Sequence, residues 1–311
     1  MGKRGRVLAA VTAAAAALLT AGCSASFAFG VSDSGGRVIA VGAENQYADV
    51  ISQVGGQYVQ ASAIMSNPNT DPHTFEASAS VGRLVSGAQL VVQNGLGYDR
   101  FMNTIEGAAP NSARKVIVVQ DLLGLPDSTP NPHLWYKPGA MAAVANSVAA
   151  ALAGLQPAHA SYFKADAARF VESLTGWTDA LAAFRTRYPL TPVATTEPVA
   201  DYMLQAAGAD NLTPWALQAD IMNGTDPSAQ DVAAERSLFT RHKVAALVYN
   251  QQVTDSLTES FIALAHANGI PVVGTYETMP VPGYDYQSWM LAEVQGLQKA
   301  VADKISTEHL G

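Results

Sequence analysis

A helical periodicity through the middle of the chain restricts the folds open to it. Across residues 157–188 the apolar positions Tyr162, Phe163, Ala167, Phe170, Val171, Leu174, Trp177, Leu181 and Phe184 recur near the 3.6-residue period. Pro157 suits a helix start, and Pro189 pushes the residue before it out of the α region. At about 1.5 Å per residue such a helix spans roughly 45 Å, more than one sheet needs. On both sides of it, short β-rich runs (37–41, 58–64, 89–93, 115–119, then 192–195, 244–249 and 271–274) alternate with helical stretches (46–54, 77–87, 99–107, 138–155, then 198–207, 228–241, 255–268 and 285–304). Such alternation favours an α/β fold with mainly parallel sheets. The expected architecture is two such lobes, 37–155 and 190–311, joined by one long rigid helix over 156–189. A helical hairpin inside a single domain is the alternative. No internal sequence repeat accompanies the two halves.

The N-terminal segment reads as an address. Lys3, Arg4 and Arg6 precede an apolar, alanine-rich run over 7–19. That run is shorter than the roughly 20 residues a bilayer requires, as expected of a secretory signal over residues 1–22. The single cysteine of the chain, Cys23, follows Thr20-Ala21-Gly22. Small residues before a cysteine resemble a bacterial lipobox, although Thr20 stands where Leu, Val or Ile is usual. Cys23 is therefore the expected lipidation site, anchoring the mature chain to the cell membrane outside the cytoplasm, with 23–36 as a tether. An ordinary signal peptide with an incidental cysteine is the other reading. Loss of residues 1–22 removes three basic and no acidic residues and moves the formal charge from −8 to −11. With no basic cluster beyond residue 6, nucleic acid is an unsuitable partner. One cysteine also excludes internal disulfides and multi-cysteine metal sites.

Two histidines stand apart from the other four. His73 and His133 occur in the similar settings Asp71-Pro72-His73 and Asn131-Pro132-His133, on connections that follow strands. The preceding proline fixes φ and stiffens the approach to each imidazole, and open α/β sheets bind ligands beyond the carboxyl ends of their strands. Glu197 closes a strand before Pro198, and Glu277 follows another within Thr275-Tyr276-Glu277. Two imidazoles and two carboxylates from sheet edges are suited to a metal. Each also has an ordinary reading: a helix-dipole partner for Glu197, a solvated acid for Glu277, a turn hydrogen bond for either histidine. His159, His242, His266 and His309 carry no recognisable motif. Gly95-Leu96-Gly97 lacks the third glycine of a nucleotide fingerprint, and no G-x-S-x-G nucleophile motif occurs.

Four segments in order, Asp71-Pro72-His73-Thr74-Phe75-Glu76, Gln93-Asn94-Gly95-Leu96-Gly97-Tyr98, Asn131-Pro132-His133-Leu134-Trp135 and Thr195-Thr196-Glu197-Pro198, make the chain from Arg37 onward resemble the metal-specific substrate-binding proteins of bacterial ABC importers. The resemblance implies two α/β lobes joined by a long helix with a metal buried between them. It implies His73 and His133 as the first two ligands. The third family ligand is histidine in many zinc binders and glutamate in many manganese binders, and here it is Glu197. The fourth is usually aspartate; the aligned residue is Glu277, one methylene longer.

A mixed set of imidazoles and carboxylates, able to bind through one or both oxygens, suits Mn²⁺ or Fe²⁺ better than a closed tetrahedral Zn²⁺ site. Many zinc-binding members carry a His- and acid-rich loop before the second histidine, whereas 121–129 is short and has none. The expected cargo is one divalent transition metal, manganese ahead of zinc, with Fe²⁺ a further candidate. The resemblance implies as partners a membrane permease with its cytoplasmic ATPase, and a monomeric chain with no catalytic residues. A secreted metallohydrolase, with Glu76 as base, and a surface adhesin are the competing classes.

Overall fold

The computed structural model describes residues 36–67, 75, 78–280 and 282–310. Residues 1–22, Cys23, His73 and Glu76 lie outside them. The first half contains β1 (Val38–Glu44), α1 (Asn45–Gly55), β2 (Val59–Met65), α2 (Ala79–Gly87), β3 (Leu90–Gln93), α3 (Arg100–Ala108), β4 (Lys115–Val118), the single turn α4 (Val119–Leu122) and α5 (Ala140–Leu155). The middle segment holds α6 (Ala160–Ser173) and α7 (Thr175–Arg187). The second half contains β5 (Pro192–Thr195), α8 (Asp201–Ala206), β6 (Asp210–Asn211), α9 (Trp215–Met222), α10 (Ala229–Thr240), β7 (Ala246–Asn250), α11 (Ser256–Ala267), β8 (Val272–Thr275) and α12 (Tyr286–Asp303).

The strands form two four-stranded sheets, ordered β2-β1-β3-β4 and β6-β5-β7-β8, with every pairing parallel. The two orders are the same pattern, although the sequence shows no repeat. In each, the strand order reverses between the first strand and the third. The crevice beyond the carboxyl ends at such a reversal is where an open α/β sheet binds ligands.

The expected single helix over 157–188 departs from continuity at one residue. Leu174 separates α6 from α7 while keeping helical dihedrals (φ −73°, ψ −9°), and its amide reaches back to Val171 O at 3.3 Å. Hydroxyl groups explain the break. Ser173 Oγ donates to Phe170 O (2.7 Å), Thr175 Oγ1 to Glu172 O (2.7 Å) and Thr178 Oγ1 to Thr175 O (3.0 Å). Such side chains compete for the carbonyls of the ladder and bend helices. Gly176 lies inside α7 rather than at the break.

One apolar cluster joins the halves. It contains Ala40, Leu90 and Val92 of the first sheet, Val193 and Val248 of the second, Phe163 and Phe170 of α6, Trp177 and Phe184 of α7, and Trp289 and Met290 of α12. Trp177 meets Tyr286 edge-on with ring centroids 6.2 Å apart. Smaller clusters fill the outer faces of each sheet.

Candidate metal centre

His133 is held in one orientation by Asn131. The Asn131 amide donates from Nδ2 to Pro198 O at 2.7 Å, so Oδ1 is the acceptor end. That oxygen accepts the backbone N–H of His133 (3.0 Å) and lies 2.8 Å from its Nδ1. An oxygen that can only accept requires Nδ1 to donate, which leaves Nε2 of a neutral imidazole as a lone-pair donor to a metal. Carbonyl or carboxylate support behind a ligating imidazole is the usual arrangement at metal sites. The same loop is gripped from the second half. Tyr202 donates to Asn131 O (2.9 Å), Tyr286 to Trp135 O (2.6 Å) and Tyr136 to Tyr276 O (2.9 Å).

Nε2 of His133 faces Glu277 Oε2 at 3.5 Å, and both side chains are fully buried. Glu277 is fixed at both ends. Gln252 Oε1 accepts its backbone N–H at 2.7 Å; Tyr98 donates to Oε2 at 2.8 Å and Asn250 Nδ2 to Oε1 at 2.7 Å. The Asn250 amide also donates to Glu197 Oε2 at 3.0 Å, so a single side chain spans both carboxylates. Asn250 ends β7, Glu197 follows β5 and Glu277 follows β8, so all three sit at carboxyl ends of the second sheet. Burial, reinforced by the Glu277 carboxylate, raises the Tyr98 phenol well above its usual range, keeping it a neutral donor.

Tyr98 reaches Glu277 because of the turn before it. Gly95 has φ +84°, and a β-carbon there would fall 2.8 Å from Gln120 Cβ. Asp99 accepts the amides of Asn94 and Gly95, the latter at 3.0 Å, and Leu96 N–H donates to Gln120 Oε1 at 2.7 Å. Asn94 accepts from Tyr47 (2.6 Å) and donates to Pro132 O (2.8 Å), tying this turn to the His133 loop. Beside Tyr98 a cavity of about 280 Å³ opens between the halves, with Arg100 on one side and Met222 and Asn223 on the other.

Of the four ligands expected from sequence, the structure brings His133, Glu197 and Glu277 to one buried crevice; His73 falls outside the described residues. Among the described residues no group of three or more His, Cys, Asp or Glu side chains is already drawn together at ligating distance. The residues that position these donors, Asn131, Tyr98, Asn250 and Gln252, were not assigned roles from sequence. Asn250 ends β7, and no local sequence signal marks it. Two of the four remaining histidines have structural surroundings: His159 stacks on Tyr58 at 3.8 Å and His266 faces Glu308 at 3.2 Å.

Comparison with known proteins agrees with this architecture. The zinc-binding periplasmic protein TroA of Treponema pallidum superposes with a TM-score of 0.73 at 18% identity, covering 87% of this chain and all of that one. FpvC of Pseudomonas aeruginosa, solved with Mn²⁺, gives 0.69 at 18% identity over 86% of this chain and 99% of that one. In sequence, the manganese-binding lipoprotein MntA of Bacillus subtilis is 27% identical over 136 residues, which is 42% of this chain and only 44% of that relative's length. The family described as ZnuA, zinc-uptake complex component A, periplasmic, matches residues 41–300. That match covers well over half of the chain, and the protein belongs to the ZnuA family.

Proposed function

We propose that this protein binds one divalent transition-metal cation outside the cytoplasm and delivers it to the permease of an ABC importer. The observation that carries the proposal is the His133–Glu277 pair. Nε2 of His133 and Oε2 of Glu277 lie 3.5 Å apart and fully buried, close enough for one cation to bond to both, and a second carboxylate, Glu197, is linked to Glu277 through the Asn250 amide. His73 is the proposed fourth ligand, on the resemblance of its Asp-Pro-His segment. The reading is of a binding protein rather than an enzyme, in keeping with a family of uptake components. It acts as a monomer, anchored through acylated Cys23 and working with the permease and its cytoplasmic ATPase.

Manganese is the favoured cargo and zinc the rival. Two carboxylates with two imidazoles supply up to six donor atoms, a number suited to Mn²⁺ or Fe²⁺, whereas Zn²⁺ prefers four. Zn²⁺ nevertheless outranks Mn²⁺ in intrinsic affinity, so geometry must carry the selectivity. The relatives named above include binders of both metals. Metal content by mass spectrometry, with calorimetric titration of Mn²⁺ and Zn²⁺, tests the proposal. One ion per chain is expected, with binding lost in His133→Ala and Glu277→Ala. Wild-type affinity in both variants would remove the site.

A further inference from the structure

The carboxyl end of β1 brings another acid to the same crevice. Glu44 is the last residue of β1, an inner strand of the first sheet between β2 and β3, and its register partner is Met65 of β2. Its side chain is completely buried, and among the described residues neither carboxylate oxygen has a hydrogen-bond partner. Glu277, by contrast, accepts from both Tyr98 and Asn250.

A structural role does not account for Glu44. It occupies the N-cap position of α1, where a side chain normally accepts an amide of the first turn, yet it makes no capping bond. It forms no ion pair with a lysine or arginine among the described residues. Its surroundings are acidic: burial first, then the nearby Asp99 and Glu277, hold its carboxyl well above the ordinary range, opposed by its own backbone N–H. A buried polar group left without a partner costs on the order of 1–3 kcal/mol, and more when charged. Native proteins keep such groups where a ligand or function compensates.

The residues after Glu44 reach across to the segment that carries Glu277. Asn45 donates to Met279 O (2.7 Å) and accepts from Met279 N–H (2.9 Å), while Gln46 donates to Glu277 O (3.2 Å). The β1–α1 junction thus fixes Glu44 beside the candidate metal centre. Among the described residues no three His, Cys, Asp or Glu side chains stand together at ligating distance.

We propose that Glu44 is a further anionic ligand of the cation, adding a carboxylate from the first sheet to His133, Glu197 and Glu277. The inference rests on the reading of this crevice as a metal site. A third carboxylate adds hard oxygen donors and places excess negative charge around a divalent ion. That favours a larger, higher-coordinate cation such as Mn²⁺ over tetrahedral Zn²⁺.

The test is calorimetric titration of the chelator-treated full chain with Mn²⁺ and with Zn²⁺, together with the electron paramagnetic resonance spectrum of bound Mn²⁺. Wild type is compared with Glu44→Gln, Glu44→Asp and His133→Ala. The expected result is at least about a tenfold loss of Mn²⁺ affinity in Glu44→Gln, a smaller loss for Zn²⁺, and an altered Mn²⁺ spectrum. Without added metal, Glu44→Gln should melt at or above the wild-type temperature, because a neutral amide replaces an unpartnered acid. Should that variant not fold, Glu44→Asp decides. Its carboxylate is one methylene shorter, so weaker Mn²⁺ binding supports the proposal and unchanged binding overturns it. Wild-type Mn²⁺ affinity and spectrum in Glu44→Gln, with binding lost in His133→Ala, would overturn the role of Glu44 and leave the metal site standing. A wild-type chain that takes up neither ion would overturn both.

Discussion

At the scale of single residues, the candidate centre depends on amides and phenols as much as on ligands. Asn131 joins the His133 ring to Pro198 of the opposite half, so it sets both the tautomer and the position of Nε2. Replacing the support behind a ligating histidine typically costs 10–100-fold in metal affinity. Asn131→Ala is expected to fall in that range by calorimetry, with the ion-to-chain ratio unchanged. Ligation also needs neutral imidazoles, so affinity should decline as pH drops below about 6. Away from the crevice, Glu235 of α10 offers a separate titration. Burial pushes its carboxyl from 4.5 up to about 8, against one hydrogen bond from Thr213. The native state then retains a proton between those values that the unfolded chain has released. Stability from this group is complete below pH 4.5 and is lost as pH rises toward 8, with a slope of at most about 1.4 kcal/mol per unit. Glu235→Gln should flatten the fall in melting temperature across that window in a pH series of thermal scans.

At the scale of elements, the middle helices and α12 act together. Trp177 of α7, only 2% exposed, packs on Tyr286 at the start of α12, and Tyr286 in turn donates to Trp135 O beside His133. A chain of contacts thus leads from the connecting helices to the His133 loop. Trp177→Ala should destabilise by about 3–5 kcal/mol through the cavity it leaves, measured by denaturant unfolding. Most elements could be read from the sequence to within two or three residues, because periodicity and proline mark them strongly. The exceptions are instructive. β6 has two residues, too few for a pattern, and α9 follows Pro214 where the apolar spacing is weak. The break at Leu174 comes from the local competition of Ser173, Thr175 and Thr178 hydroxyls for carbonyls, and the apolar stripe runs straight across it.

At the scale of the whole molecule, the two halves share one apolar cluster and are bridged by Asn45 to Met279, Asn131 to Pro198 and Tyr136 to Tyr276. A core common to both sheets resists wide hinge opening, which would expose it to water. Metal binding is therefore expected to shift the radius of gyration in small-angle scattering far less than a hinge closure does. Binding to the native state should still raise thermal stability, by about 4 kcal/mol at a free ion concentration 1,000 times Kd. A calorimetric scan without that rise would contradict the proposed function.

The sequence alone determined the alternation of strands and helices and the helical middle segment, and it singled out His133, Glu197 and Glu277, side chains that the structure buries close together. These are local signals: period, proline placement, and residue type at a strand end. Only the tertiary structure decided the rest. The repeated sheet order, the bridging of two carboxylates by Asn250, the hold of Asn131 on His133 and the buried position of Glu44 all depend on residues far apart in the chain meeting at strand ends. Strand order is set by which apolar faces pack against which helices, and a linear pattern does not carry that information.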